Sequence, residues 1–263
     1  YHIYKNNKRI INKNDSMRGS FLGPEYSNSQ INYLLKKNKI KFKYLSNKEI
    51  INQTTKYIIK GQTVGWFQGR MEFGPRALGN RSIIADPRLK KMQKMLNLKI
   101  KFRESFRPFA PSVLENEYKK WFDISLEKSP YMLFTAKLKN DRKLKISTKN
   151  KNLKGLKLLY LSRSTVPAIT HVDYSARIQT INKRENGKFY KLLKKFYDKT
   201  NCPIMINTSF NVRGEPIVCS PENALACFMS TNLDVLVMEN FLILKNEQNK
   251  KLENIYAREV EPD

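Results

Sequence analysis

"GRMEFGPRALGNRSI", residues 69–83, holds Arg70, Arg76 and Arg81 but only one acid, Glu72. Glycines at 69, 74 and 79 with Pro75 make it a poor helix, since glycine costs about 1 kcal/mol and proline about 3 kcal/mol in a helix interior. Apolar runs stand on both sides of it, "TVGWF" at 63–67 and "SIIAD" at 82–86. Their length and their β-branched and aromatic content suit buried strands. The stretch therefore reads as a loop between two strands, and strand-end loops are where α/β proteins place ligand sites.

Working outward, Ser46 and Glu49 have the spacing of a capping box, Ile50, Ile51, Tyr57 and Ile58 give one apolar face, and Gly61 supplies a stop. A helix is expected there. Downstream, "PRLKKMQKMLNLKI" (87–100) predicts a helix with Met92, Met95 and Leu96 inward. "RPFAPSVL" is extended, "YMLFTAKL" (131–138) and "ARIQTI" (176–181) are strands, and "GKFYKLLKKFYDKT" (187–200) is an amphipathic helix. "CPIMINTSF" (202–210) is a buried strand running into a loop. Ser220 and Pro221 open another helix, and "DVLVM" pairs with "FLILK" as a hairpin over Glu239–Asn240. Strands and helices interleave without an internal repeat, so the class is α/β with a mixed sheet. Residues 1–45, with a short amphipathic helix in "SQINYLLKK", read as a linker or the tail of a preceding domain; 46–245 form the domain and 246–263 a tail.

The chain has 263 residues, 40% of them hydrophobic, which suffices for one substantial core. It begins with Tyr1, the expectation for a piece of a longer protein, and lacks both an 18-residue apolar run and a signal-peptide pattern. A cytoplasmic location is expected. Three cysteines without metal spacing and two histidines argue against a disulfide framework or a zinc or iron site built from this chain, so no metal ligand is assigned. Much of the formal charge of +27 lies in Lys/Asn runs such as "LLKKNKIKFKYL" (34–45) and the excursion at 139–160. These lack interleaved aromatic platforms and read as solvated surface, so nucleic acid is not the expected partner.

The arginines are distributed differently. Four polar segments, "GRMEFGPRALGNRS", "KIKFRESFRPFAP", "HVDYSARIQT" and "NTSFNVRGEP", together carry Arg70, Arg76, Arg81, Lys101, Arg103, Arg107, Arg177 and Arg213 against Glu72, Glu104, Asp173 and Glu215. Any one arginine could pair with those acids or cap a helix, but the acids are too few for the whole set. An excess of guanidinium forks suits a polyanionic ligand, which they bind bidentately. Phosphoryl and acyl-phosphate chemistry rests on positioning and charge neutralisation, consistent with no Ser-His-Asp or Cys-His set. Neither a P-loop nor a dinucleotide-binding glycine motif is present.

"GRMEFGPRALGNRSIIADPR", "FRPFAPSVL", "HVDYSARIQT" and "NTSFNVRGEPIVCSPENA" resemble the C-terminal domain of the O-carbamoyltransferases, the family of the nodulation, cephem and tobramycin carbamoyltransferases. The likeness runs from about Thr63 to Lys245, and "GPEYS" (23–27) resembles the family's junction between domains. It implies a YrdC-like twisted mixed sheet with flanking helices and a charged concave face. It also implies that carbamoyl phosphate and ATP, with Mg²⁺, are converted to carbamoyl-adenylate, and that a Kae1-like N-terminal domain holding iron, in cis or in trans, passes the carbamoyl group to a hydroxyl.

By motif, Arg76 resembles a phosphate-binding arginine, Lys101 and Arg107 a pair that grips carbamoyl phosphate, and Arg177, Asn207 and Ser209 the rest of the pocket. Arg70 and Arg213 join them as expected substrate-binding residues. One departure is Tyr174, where the family carries glycine; His171 before it reads as a hydrogen-bonded spacer. The alternatives are a YrdC-type former of threonylcarbamoyl-adenylate, against which "GPRALG" and "NTSFN" speak, and a basic RNA-binding module.

Overall fold

The computed structural model describes residues 2–8, 15, 17–145, 155 and 161–250. Most of the Lys/Asn excursion at 139–160 and of the tail at 246–263 lies outside them. Eleven strands are present among the described residues: β1 (Lys43–Tyr44), β2 (Val64–Phe67), β3 (Arg81–Ala85), β4 (Pro111–Leu114), β5 (Phe122–Asp123), β6 (Thr135–Leu138), β7 (Ser175–Arg177), β8 (Gln179–Ile181), β9 (Ile204–Ser209), β10 (Val235–Met238) and β11 (Phe241–Leu244). Eight of them form one mixed sheet in the order β1-β11-β10-β2-β3-β9-β4-β8. The β10–β2 and β4–β8 pairs are parallel and the others antiparallel. A second sheet runs β5-β6-β7. Every residue of β2, β3, β10 and β11 is buried, as in strands covered on both faces.

The helices are α1 (His2–Asn6), α2 (Asn28–Lys37), α3 (Asn47–Ile59), α4 (Met92–Leu96), α5 (Lys183–Thr200) and α6 (Pro221–Ser230). The Ser46–Glu49 capping box opens α3 as its spacing predicts, and Ser220 caps α6 with Pro221 in the first turn. A second box, Ser27 with Gln30, starts α2. That helix turns Ile31, Leu34 and Leu35 inward, and β1 pairs with β11. Residues 28–45 thus belong to the same core as the domain that follows, because a helix with one apolar stripe needs a surface to bury it on.

Three elements differ from the sequence reading. "ARIQTI" is two strands, not one: β7 pairs with β6 in the small sheet, and β8 with β4 in the large one. Ile178 between them is fully buried and donates its amide to the Phe134 carbonyl at 3.1 Å. Continuous apolar character hides such a change of sheet. The helix expected over 87–100 shrinks to α4 and continues as a wider π turn over Asn97–Lys101, ended by Phe102 in the left-handed region at φ 47°. Single π turns of this kind recur at functional sites. A capped turn precedes the amphipathic helix expected over 187–200: Asn182 Oδ1 accepts the Glu185 amide at 2.9 Å, and Gly187, at φ 38° and ψ −103°, kinks α5 between this first turn and the rest of the helix.

Gly79 shows why the opening stretch needs its glycines. Its φ is +116°, and a Cβ there would lie 2.3 Å from the Phe189 ring of α5. Gly79→Ala is expected to cost about 2–3 kcal/mol, from backbone strain and overpacking together. A shift in the denaturant midpoint measures it; a variant as stable as wild type would contradict the packing described.

Candidate functional site

The loop from Gly69 to Asn80 folds around its own acid. Glu72 is buried, and its Oε1 accepts the amides of Leu78 and Asn80 at 2.7 Å each and that of Arg81 at 3.3 Å. The sheet side of the loop is tied down by a buried polar chain. Ser112 Oγ donates to Gln179 Oε1 at 2.6 Å, Gln179 Nε2 to the Leu78 carbonyl at 2.8 Å, and Asn207 Nδ2 to Gln179 Oε1 at 2.9 Å and the Ala77 carbonyl at 3.2 Å. These contacts present Arg76 at the end of the sheet where β9 finishes and β3, β4 and β8 begin.

Two cavities adjoin there. One, of about 200 Å³, is lined by Arg76, Arg103, Arg107, Arg177, Asn207 and Ser209 among others. The second, of about 260 Å³, is lined by Lys101, Arg103, Arg107, Ser209, Asn211 and Arg213 with their neighbours. Arg103, Arg107 and Ser209 form the shared wall. Seven of the eight residues expected from sequence therefore converge: Arg76, Lys101, Arg107, Arg177, Asn207, Ser209 and Arg213.

Arg70 is not brought there. It is exposed, 3.6 Å from Glu25, and donates to the Gly23 carbonyl at 3.2 Å. Arg81 is a structural residue: fully buried, 3.6 Å over the Phe67 ring, and donating to the carbonyls of Gln68, Asn80 and Pro24. A pattern of arginines cannot separate these cases, because burial of a guanidinium depends on carbonyls supplied by distant chain segments. A roomier groove of about 520 Å³ between α3 and α5 is lined by lysines, including Lys48, Lys191 and Lys195, and holds none of the arginines.

The site is electrostatically unsatisfied. Among the described residues no carboxylate lies within 4.0 Å of the Arg76, Arg107 or Arg177 guanidinium, and Arg76 Nε and Arg177 Nε are buried without a hydrogen-bond partner. Burial lowers the pKa of Arg177, and repulsion from Arg76 and Arg107 lowers it further. Arg103, missing from the set expected to bind substrate, behaves alike: burial first and Arg107 next bring it to about 10, with Glu104 opposing. Its Nε donates to Asn97 Oδ1 at 2.7 Å, and its guanidinium lies 4.9 Å over the Phe109 ring. The signal for it was its place between Lys101 and Arg107, but only the π turn and the Phe102 reversal aim it at the cavities.

Lys101 is buried, and its Nζ reaches four oxygens: the Ser209 carbonyl, Ser209 Oγ at 3.2 Å, the Asn211 carbonyl at 2.9 Å and Asn211 Oδ1 at 2.7 Å. Its proton-donating capacity goes to the wall of the cavity. Burial lowers its pKa to about 7, the Cys227 thiol opposing and Arg103 adding repulsion. Between pH 7 and the ordinary value of 10.5 the unfolded chain therefore binds a proton that the native state does not. The contribution of this group to stability rises with pH across that window. Comparing unfolding free energies of wild type and Lys101→Met from pH 7 to 10 should show the rise in wild type alone; equal slopes would contradict it.

The turn at 171–174 flanks Arg177. Tyr174, standing where the related motif has glycine, keeps a glycine-like φ of 65°. The departure thus preserves the turn at the cost of strain, on the order of 1–3 kcal/mol. The His171 amide donates to the Ser175 carbonyl at 2.9 Å, and burial lowers its side-chain pKa, Asp173 opposing and Arg177 adding to the fall.

A family model described as "Carbamoyltransferase C-terminus" matches residues 55–245. The chain belongs to the carbamoyltransferase C-terminal family. All four arginine-bearing segments fall within the match. A protein of Synechocystis sp., sll1178, is 48% identical over 95% of this chain and 41% of its own length. The nodulation protein NolO of Bradyrhizobium diazoefficiens is 39% identical over 75% of this chain and 33% of its own. The 3'-hydroxymethylcephem-O-carbamoyltransferase of Amycolatopsis lactamdurans is 35% identical over 60% and 26%. The chain thus spans about two fifths or less of the length of these curated relatives. Full-length HypF in its phosphate- and nucleotide-bound form is a looser likeness, with a TM-score of 0.45 and 16% identity over 74% of this chain and 21% of that chain. Among the described residues no helix is long and apolar enough to cross a membrane.

Proposed function

We propose that this carbamoyltransferase C-terminal domain activates carbamoyl phosphate with ATP, yielding carbamoyl-adenylate. The observation that carries the reading is the convergence of Arg76, Arg107 and Arg177 on one cavity with, among the described residues, no carboxylate in ion-pairing reach. Fixed cations without partners are tolerated where the missing partner is a ligand anion. Two adjoining cavities with a common wall suit two anionic reactants. In a balanced sequence, water cleaves carbamoyl phosphate to carbamate and inorganic phosphate. A carbamate oxygen then attacks the α-phosphorus of ATP, and pyrophosphate leaves. Guanidinium groups on the shared wall, Arg103 and Arg107, would offset the repulsion between the reactants and charge on the departing phosphates. Among the described residues no group of three or more His, Cys, Asp or Glu is placed to hold a metal ion. Mg²⁺ enters this reading as part of the Mg·ATP substrate, carried chiefly by the phosphates.

Transfer to a hydroxyl needs a second surface that holds the acceptor in near-attack geometry. The Kae1-like domain, with its iron, is the proposed partner for that step, in keeping with the greater length of the relatives. The test is pyrophosphate–ATP exchange dependent on carbamoyl phosphate, followed by mass spectrometry on hydroxylated acceptors. Exchange without carbamate-ester formation is expected from this chain. No exchange would reject activation, and ester formed by turnover of this chain alone would reject the division of labour.

A further inference from the structure

The Arg76 loop is held from two sides, and only one of them is the sheet. Across its back runs the segment Ser20–Tyr26. The Phe73 amide donates to the Ser20 carbonyl at 2.6 Å, the Gly23 amide to the Met71 carbonyl at 2.9 Å, and the Met71 amide to the Pro24 carbonyl at 2.9 Å. Arg70 and Arg81 add guanidinium donors, to the Gly23 carbonyl at 3.2 Å and the Pro24 carbonyl at 3.1 Å. Tyr26 packs its ring 6.0 Å from that of Phe67, on whose face Arg81 lies. The fit is closest at Gly23, where a Cβ would come within 2.9 Å of both the Cβ and the carbonyl oxygen of Met71.

Met71 and Phe73, the two residues gripped by this segment, are the neighbours of Glu72. Glu72 in turn gathers the Leu78, Asn80 and Arg81 amides and so shapes the turn that carries Arg76. Arg76 Nε has no partner of its own, so the position of the guanidinium is set by the loop. The contacts form one path, from Ser20–Tyr26 through Glu72 to Arg76.

We infer that Ser20–Tyr26 is a positioning strap that sets where Arg76 stands, and that Arg70 and Arg81 serve the strap and not an anion. The inference rests on the reading of the cavities as anion sites. It gives the remaining two arginines of this stretch a role, and it means that displacing Ser20–Tyr26 changes anion affinity without touching the ligand.

The test uses calorimetric binding of inorganic pyrophosphate and of carbamoyl phosphate to the whole chain at low salt. Arg76→Ala is expected to weaken binding of at least one of them by about tenfold or more. Gly23→Ala, which pushes Met71 aside, should weaken the same anion about fivefold. The double variant Gly23→Ala/Arg76→Ala should then bind as Arg76→Ala does, because the strap acts only through that guanidinium. Arg70→Gln removes a strap contact without adding atoms and should lose about two- to threefold, again with no further loss on top of Arg76→Ala. It decides the matter if Gly23→Ala does not fold. Additive losses, or full affinity in the strap variants whatever their melting temperature, overturn the strap alone. A wild-type chain that binds neither anion overturns the cavity reading and the strap with it.

Discussion

Alanine at Arg76, Arg107 or Arg177 is expected to lower carbamoyl-phosphate-dependent pyrophosphate–ATP exchange about 10²-fold or more, with no loss of folding stability. The loss corresponds to roughly 3 kcal/mol, the scale for a charge-assisted contact removed from a desolvated site. The stability side follows from the same geometry. Among the described residues no carboxylate stands within 4.0 Å of these guanidiniums, and the Arg177 pKa is already lowered by burial and by repulsion from Arg76 and Arg107. Removing one relieves this mutual repulsion, so melting temperatures measured without substrate should hold or rise slightly. Stability and function trade against each other in this way where a site is built for a ligand that is absent. Wild-type exchange rates in any two of the three variants would place the anion site elsewhere.

Glu72→Ala is expected to destabilise the fold by about 3–6 kcal/mol, the largest single-residue effect anticipated. The substitution leaves the buried Leu78 and Arg81 amides and the half-buried Asn80 amide without their acceptor, and each orphaned buried donor costs about 1–3 kcal/mol. It also removes one of the charges facing buried Arg81, whose pKa burial depresses to about 10 and Glu72 supports. Glu72→Gln keeps an acceptor oxygen of the same shape and should cost much less. Denaturant midpoints of the two variants provide the measurement. Equal midpoints would show that the carboxylate does not organise the loop.

Much of the architecture was legible from local chemistry. Strands β2, β3, β9, β10 and β11 coincide with short apolar runs, and α3 and α6 begin at residues whose side chains satisfy their own first amides. Such features depend on neighbours a few residues apart, which is what a sequence displays. The split of "ARIQTI" between two sheets, the π turn at Asn97–Lys101 and the inclusion of α2 and β1 in the core were not legible. Each depends on which distant strand or helix face offers a partner.

The same division runs through the site. Sequence alone established that the basic residues of four polar segments exceed the acids available to them, and that motif likeness assigns these segments to a carbamoyltransferase domain. It could not rank the arginines of "GRMEFGPRALGNRSI". Arg76, Arg70 and Arg81 look alike in composition and spacing, yet one lines a cavity, one grips the strap and one is buried under it. It also could not show that Lys101 spends its hydrogens on Ser209 and Asn211, more than a hundred residues away. A guanidinium or an ammonium group takes its role from the oxygens it finds, and only the tertiary structure decides which carbonyls and carboxylates stand within about 3 Å of it.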